Sequence, residues 1–173
     1  MAVESERVTA DVIEAMEFPD LARRFAVRGV PKIVINDRAD VAKMLGADGV
    51  HLGQDDLPPS RVRALVGPDV WIGCSTHNEA QFRAAGREPA DYLALGPIFA
   101  TGSKENPDPV VGLAELARLR PLTAKPLVAI GGIARDNVRQ VLEAGADAVA
   151  VISDLLSGDL DSLLKEWVQL TRR

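Results

Sequence analysis

The chain has 173 residues, 47% hydrophobic and 26% charged, the balance of a folded domain with a sizeable core and not of a disordered chain. A net charge of −5 argues against nucleic acid or an anionic membrane as the main partner, and the single cysteine, Cys74, excludes an internal disulfide and any Cys-x-x-Cys redox or zinc site. The opening MAVESERVTADV has no apolar signal core, and no run approaches the roughly 20 residues of a membrane span, so a cytoplasmic protein is expected.

Along the chain, apolar β-branched runs alternate with helix-patterned stretches. VTADVI (8–13) precedes FPDLARRF, KIVI (32–35) precedes RADVAKMLGA, and GVHL (49–52) precedes PSRVRALV. VWIGC (70–74) precedes NEAQFRAAG, YLAL (92–95) precedes GLAELARLR after a polar insert, PLVAI (126–130) precedes RDNVRQVLEAG, and AVAVI (148–152) precedes DLDSLLKEWVQL. This unbroken alternation predicts a parallel sheet covered by helices. Several strands are apolar throughout, which predicts burial on both faces. Asn78 and Asp136 suit helix N-caps, and Pro58 or Pro59 a first helical turn. Two helices end in Gly-Ala-Asp, at Gly46 and Gly145, where glycine suits a left-handed C-terminal cap.

The near-repeat favours a TIM-type (β/α) barrel over an open sheet. Seven strand-like runs are legible where a closed barrel has eight, so the expected fold is a single-domain α/β barrel, residues 1–173, lacking its first βα unit. Such a barrel has open strand edges, which predict self-association or an N-terminus rearranged to fill the gap.

In such a barrel the chemistry lies at the C-terminal strand ends. Asp37 and Asp56, on neighbouring strands, can share one Mg²⁺, a hard cation that holds diphosphates; the alternative is that Asp37 caps a helix and Asp55 and Asp56 are solvated. Gly131-Gly132 admits close backbone approach, and Ile152-Ser153 offers N–H groups and a hydroxyl before a helix. Together they predict a phosphate site on the last two strands, unless the glycines only make a tight turn. The insert ATGSKENPDP (100–109) reads as a loop over the mouth in which Lys104 can meet a phosphate, with Thr101 and Ser103 as donors; the alternative is a solvated lysine. Ser75-Thr76-His77 lacks a nucleophile context, so Ser75 reads as a hydrogen-bonding residue and His77 as a helix start. His51 reads as a satisfied strand histidine and Cys74 as a packed thiol.

The runs INDRADVAKMLGADGVHLGQDDLP, GCSTH, DYLALGPIFATGSK, VAIGGI and AGADAVAVIS resemble the thiamine phosphate synthase family over about residues 28–155, in order and spacing. The resemblance implies a transferase that joins an aminopyrimidine methyl diphosphate to a thiazole phosphate with loss of pyrophosphate. It implies Mg²⁺ held by Asp37 and Asp56, Asn36 on the pyrimidine, and Ser75 and Lys104 on the pyrophosphate. Thr101, Ser103, Gly132, Ile152 and Ser153 would then hold the thiazole phosphate. Such chemistry depends on positioning and charge stabilisation more than on a strong base.

Two departures stand out. The family carries an earlier strand and helix and a Gln-x-Arg-x-Lys motif on its second strand, where this chain has VTADVIEAMEFPD. Each missing cation removes a charge-assisted contact worth roughly 1.5–3 kcal/mol. Residues 7–36 resemble instead the strand–helix–Val-Pro–strand portion of a thioredoxin-like disulfide oxidoreductase, which divides the chain into an atypical segment 1–31 and a synthase-like barrel 32–173. These departures imply impaired synthase activity in a fusion or recombinant chimera. The alternatives are a non-catalytic phosphate-binding barrel and an inactive chimera.

Overall fold

A computed structural model describes residues 33–102, 106 and 108–171. The strand expected at 8–13, the helix after it and the division at residue 31 lie outside the described residues, as do Ser103 and Lys104.

Six of the seven expected strands form, at β1 (Val34–Asn36), β2 (Gly49–Leu52), β3 (Trp71–Thr76), β4 (Tyr92–Leu95), β5 (Leu127–Ile130) and β6 (Ala148–Ala150). They alternate with α1 (Ala39–Leu45), α2 (Pro59–Val66), α3 (Glu79–Arg87), α4 (Gly112–Leu119), α5 (Val138–Glu143) and α6 (Leu160–Thr171). Every strand pairs in parallel with its neighbour in sequence, in the order β1-β2-β3-β4-β5-β6. A doubly wound sheet reverses its order at a switch point; among the described residues this one does not, and it curls as a TIM-like half-barrel. β1 and β6 are its edges among the described residues.

Side-chain alternation divides the sheet into two faces. Val50, Leu52, Ile72, Leu93, Leu95 and Leu127 are fully buried on one face, with Val62, Phe82, Leu116 and Val141 of the helices in the same core. The opposite face carries half-buried His51, Ser75, Tyr92, Val128 and Ile130 beside buried Gly73 and Ala94, so burial is fuller on the first face than on this one, where the apolar runs predicted both. Buried Thr76 satisfies its hydroxyl by donating to the Ala94 carbonyl at 2.8 Å.

Local punctuation follows the sequence with one correction. Asn78 accepts from the Gln81 N–H at 3.0 Å and caps α3, Pro59 opens α2, and Gly46 closes α1 at φ 61°. Asp136 caps nothing: α5 starts at Val138 behind Asn137, whose Oδ1 accepts from the Ala134 N–H at 2.9 Å. Asn137 holds the N-cap position without a side-chain cap bond, and its amide donates back to the Gly132 carbonyl at 3.1 Å, a bond no aspartate can make.

An aspartate just before each even-numbered strand ties down the preceding odd one. Asp48 accepts from the Ile33 N–H, Asp91 from the Ile72 N–H and Asp147 from the Leu127 N–H, at 2.9, 2.7 and 2.9 Å. Asp91 also meets Arg63 at 2.5 Å, and Arg63 donates onward to the Gly67 and Val70 carbonyls. Asp91→Ala would leave the Ile72 N–H without this partner and free the guanidinium. The expected loss is about 2 kcal/mol, a fall of about 4–8 °C in thermal midpoint. A scan in which Asp91→Ala melts with the parent would remove the clamp from the account of stability.

Candidate active site

The first strand end is built on a tight reversal. The Asp37 N–H still bonds the His51 carbonyl at 2.8 Å, as if the ladder continued, while the Arg38 N–H folds back to the Asn36 carbonyl at 2.7 Å. Asp37 therefore sits at φ 64°, in the left-handed region that aspartate and asparagine tolerate better than most residues. At the second strand end, Asp56 accepts from the Gly53 N–H at 2.6 Å, which turns the loop after β2 back towards β1.

These two turns bring Asp37 and Asp56 together, as their spacing predicted. Burial, then the Asp56 charge and a hydrogen bond with it, push the Asp37 carboxyl above the usual carboxylate range, and a hydrogen bond from Asn36 pulls the other way. Both carboxylates line an open hollow of about 420 Å³ with Arg38, Asp40, Asp55 and Pro58. Arg38 is engaged by Asp40 at 2.5 Å, and that exposed pair holds the Asp40 carboxyl down at about 2. Among the described residues no three His, Cys, Asp or Glu side chains gather as a metal site. Two carboxylates do not make a closed protein cage, but they fit Mg²⁺, which keeps waters and takes its other ligands from phosphates.

The third strand end is more connected than its sequence suggested. Ser75 Oγ lies 2.8 Å from His51 Nε2, and His51 Nδ1 lies 2.9 Å from the Tyr92 hydroxyl. Gln54 holds the same strand end by donating to the Ser75 carbonyl at 2.5 Å. His51 is thus a satisfied strand histidine as read, but its partner is the candidate Ser75. The sequence places Tyr92 in a strand but gives it no role at the site. The period of two assigns His51, Gly73 and Tyr92 each to a face of its own strand, but only the register sets them in one row across β2, β3 and β4. His77 does more than begin a helix: its Nδ1 lies 2.6 Å from the Gly96 carbonyl and its Nε2 3.6 Å from Asp108.

At the last two strands, Gly131 and Gly132 take φ 94° and 65° and lie under the segment after β4. The Ile98 N–H donates to the Ile130 carbonyl and the Phe99 N–H to the Gly131 carbonyl, at 2.9 and 3.0 Å. A Cβ on Gly132 would stand 2.5 Å from the Ala100 carbonyl oxygen, so close packing alone requires this glycine. Ile152 and Ser153 are exposed and do not precede a helix directly. A turn follows, with the Leu156 N–H donating to the Ser153 carbonyl at 3.2 Å, and α6 starts only at Leu160. Thr101 is half-buried in the loop after β4.

Residues 11–155 match the thiamine monophosphate synthase family, TMP-TENI. The chain belongs to this family. The match takes in residues 11–31, so the family likeness extends into the stretch for which an oxidoreductase pattern was expected. The chain is 60% identical over 124 residues to the thiamine-phosphate synthase of Koribacter versatilis, covering 72% of this chain and 59% of that one. It is 46% identical over 146 residues to that of Chloroflexus aurantiacus, covering 84% and 65%. The thiamine phosphate pyrophosphorylase of Pyrococcus furiosus superposes with a TM-score of 0.72 at 34% identity, over 87% of this chain and 70% of that one. The chain thus spans about three-fifths of the length of these first two curated relatives. Among the described residues no helix is long and apolar enough to cross a membrane.

Proposed function

We propose that the chain carries thiamine phosphate synthase chemistry, in which an aminopyrimidine methyl diphosphate and a thiazole phosphate are joined with release of pyrophosphate. The carbon–oxygen bond to pyrophosphate breaks and its electron pair leaves with the pyrophosphate. The thiazole nitrogen lone pair then forms the new carbon–nitrogen bond. The observation that carries this reading is the convergence of Asp37 and Asp56, with the Asp37 carboxyl pushed up by burial and then by its neighbour, in a chain of this family.

Asp37 and Asp56 would hold Mg²⁺, which supplies charge stabilisation for a departing diphosphate. Ser75 would donate its hydroxyl to the same group, with Lys104 from the loop beside it. Asn36, whose side chain hydrogen-bonds Asp37, would orient the pyrimidine. Thr101, Ser103, Gly132, Ile152 and Ser153 would bind the thiazole phosphate. The packing of Gly132 supports a structural duty for that residue first.

The test is product formation from the two precursors with and without Mg²⁺. Metal-dependent thiamine phosphate is the expected result, at a rate reduced if the absent Gln-x-Arg-x-Lys cations matter. No product from a folded sample would overturn the reading and favour the phosphate-binding alternative.

A further inference from the structure

Ser75 is bonded to a histidine that is itself bonded to a tyrosine, and the sheet is built around that chain of contacts. In the register, His51 faces Gly73 and Gly73 faces Tyr92. The two rings meet over the glycine, their centroids 5.6 Å apart. A Cβ on Gly73 would lie 2.1 Å from Tyr92 Cζ, 2.3 Å from its hydroxyl and 2.5 Å from His51 Nδ1. The space that any other side chain would need at position 73 is occupied by the hydrogen bond. Two residues further along β3, on the same face, Ser75 receives the other end of the imidazole.

Each ring nitrogen of the part-buried His51 meets an uncharged hydroxyl, of Tyr92 or Ser75, the pairing of a neutral ring that carries a single proton. A neutral imidazole donates from one nitrogen and accepts at the other. Only two wirings satisfy both contacts. In one, Nδ1–H donates to the tyrosine oxygen and the Ser75 hydroxyl donates to Nε2, which leaves Ser75 with nothing but lone pairs to show a ligand. In the other, the tyrosine hydroxyl donates to Nδ1 and Nε2–H donates to Ser75 Oγ, which leaves the serine proton free. An anionic oxygen is attracted by the second arrangement and repelled by the first.

We propose that Tyr92 and His51 are positioning residues that fix the Nε2–H tautomer of His51, so that Ser75 Oγ is an acceptor from the ring and its hydroxyl proton is presented to a pyrophosphate oxygen. The identity of that anion rests on the transferase reading; the wiring does not. Tyr92 acts at one remove from the ligand, through His51, and His51 acts through Ser75.

The test joins ¹⁵N NMR of histidine-labelled protein with binding of inorganic pyrophosphate in the presence of Mg²⁺. The chain has two histidines, so the His51 signals are assigned against a His77→Gln sample. The expected spectrum of the unsubstituted protein is that of the Nε2–H form, and Tyr92→Phe should lose that preference. Pyrophosphate affinity should fall roughly tenfold in Tyr92→Phe and in Ser75→Ala, the weight of one hydrogen bond to a charged acceptor. The double variant should lose little more than either single one, because both remove the same donor. An Nδ1–H form in the unsubstituted protein overturns the wiring without any variant having to fold. Undiminished binding by Tyr92→Phe, where the unsubstituted protein binds, overturns the positioning role and leaves the transferase reading intact. A folded, unsubstituted protein that binds no pyrophosphate overturns the transferase reading, and the role of Ser75 with it.

Discussion

Asp37→Asn is expected to lower Mg²⁺-dependent product formation by about two to three orders of magnitude, the scale seen when one group that stabilises developing charge is removed. Asparagine keeps the shape and tolerates the φ of 64° at this position, so the backbone reversal should survive. Stability should move the other way. The folded-state value of Asp37 lies above its ordinary one, because burial and the Asp56 charge oppose ionisation. The folded chain therefore binds that proton more tightly than the unfolded chain. This group's contribution becomes more favourable as pH falls through the raised value, and at neutral pH its ionisation opposes folding. Asparagine has no charge to oppose, so the variant should melt slightly higher than its parent at pH 7. Mg²⁺ should raise the midpoint of the parent and leave that of Asp37→Asn little changed, since binding to the folded state alone stabilises it. A variant that keeps its turnover, or gains as much from Mg²⁺ as the parent, would show that the acidic pair is not where the cation acts.

Gly132→Ala, the addition of a single methyl group, is expected to cost about 3 kcal/mol, with a fall of about 6–12 °C in thermal midpoint. Two effects add. Alanine at φ 65° bears a left-handed penalty of about 1–2 kcal/mol. Its Cβ would also press on the Ala100 carbonyl oxygen and the Phe99 Cβ, at 2.5 and 2.8 Å, and displacing backbone costs about 1–3 kcal/mol. Alanine retains the backbone N–H that a phosphate would use. Lost activity that follows the lost fold would therefore assign Gly132 to packing. A variant that melts with the parent yet binds thiazole phosphate poorly would assign it to the ligand, and calorimetry beside a binding titration separates the two.

Much of the architecture was legible because it rests on local chemistry. The alternation of β-branched runs with Ala-Leu-Arg-Glu stretches marked each described strand and helix, since pleat and helix impose periods that a single chain displays. Asn78 and Pro59 marked helix starts for the same reason. Asp37 and Asp56 were legible as a pair because parallel strands with intervening helices must bring successive strand ends to one side of the sheet. Asp136 was misplaced as a cap because the helix starts one residue later than expected, at Val138 behind Asn137, whose side chain bonds back to Ala134 and Gly132.

Spacing along the chain was enough to specify the class of fold, the order of its elements and the acidic strand ends. Which faces of the strands are buried emerged only in three dimensions, because that depends on what packs against them. So did the seat of Gly132 beneath Ala100, the aspartates that clamp alternate strands, and the row in which His51, Gly73 and Tyr92 meet beneath Ser75. Those contacts join residues from different strands, and their distances follow from the register of the sheet, which no single stretch of sequence contains.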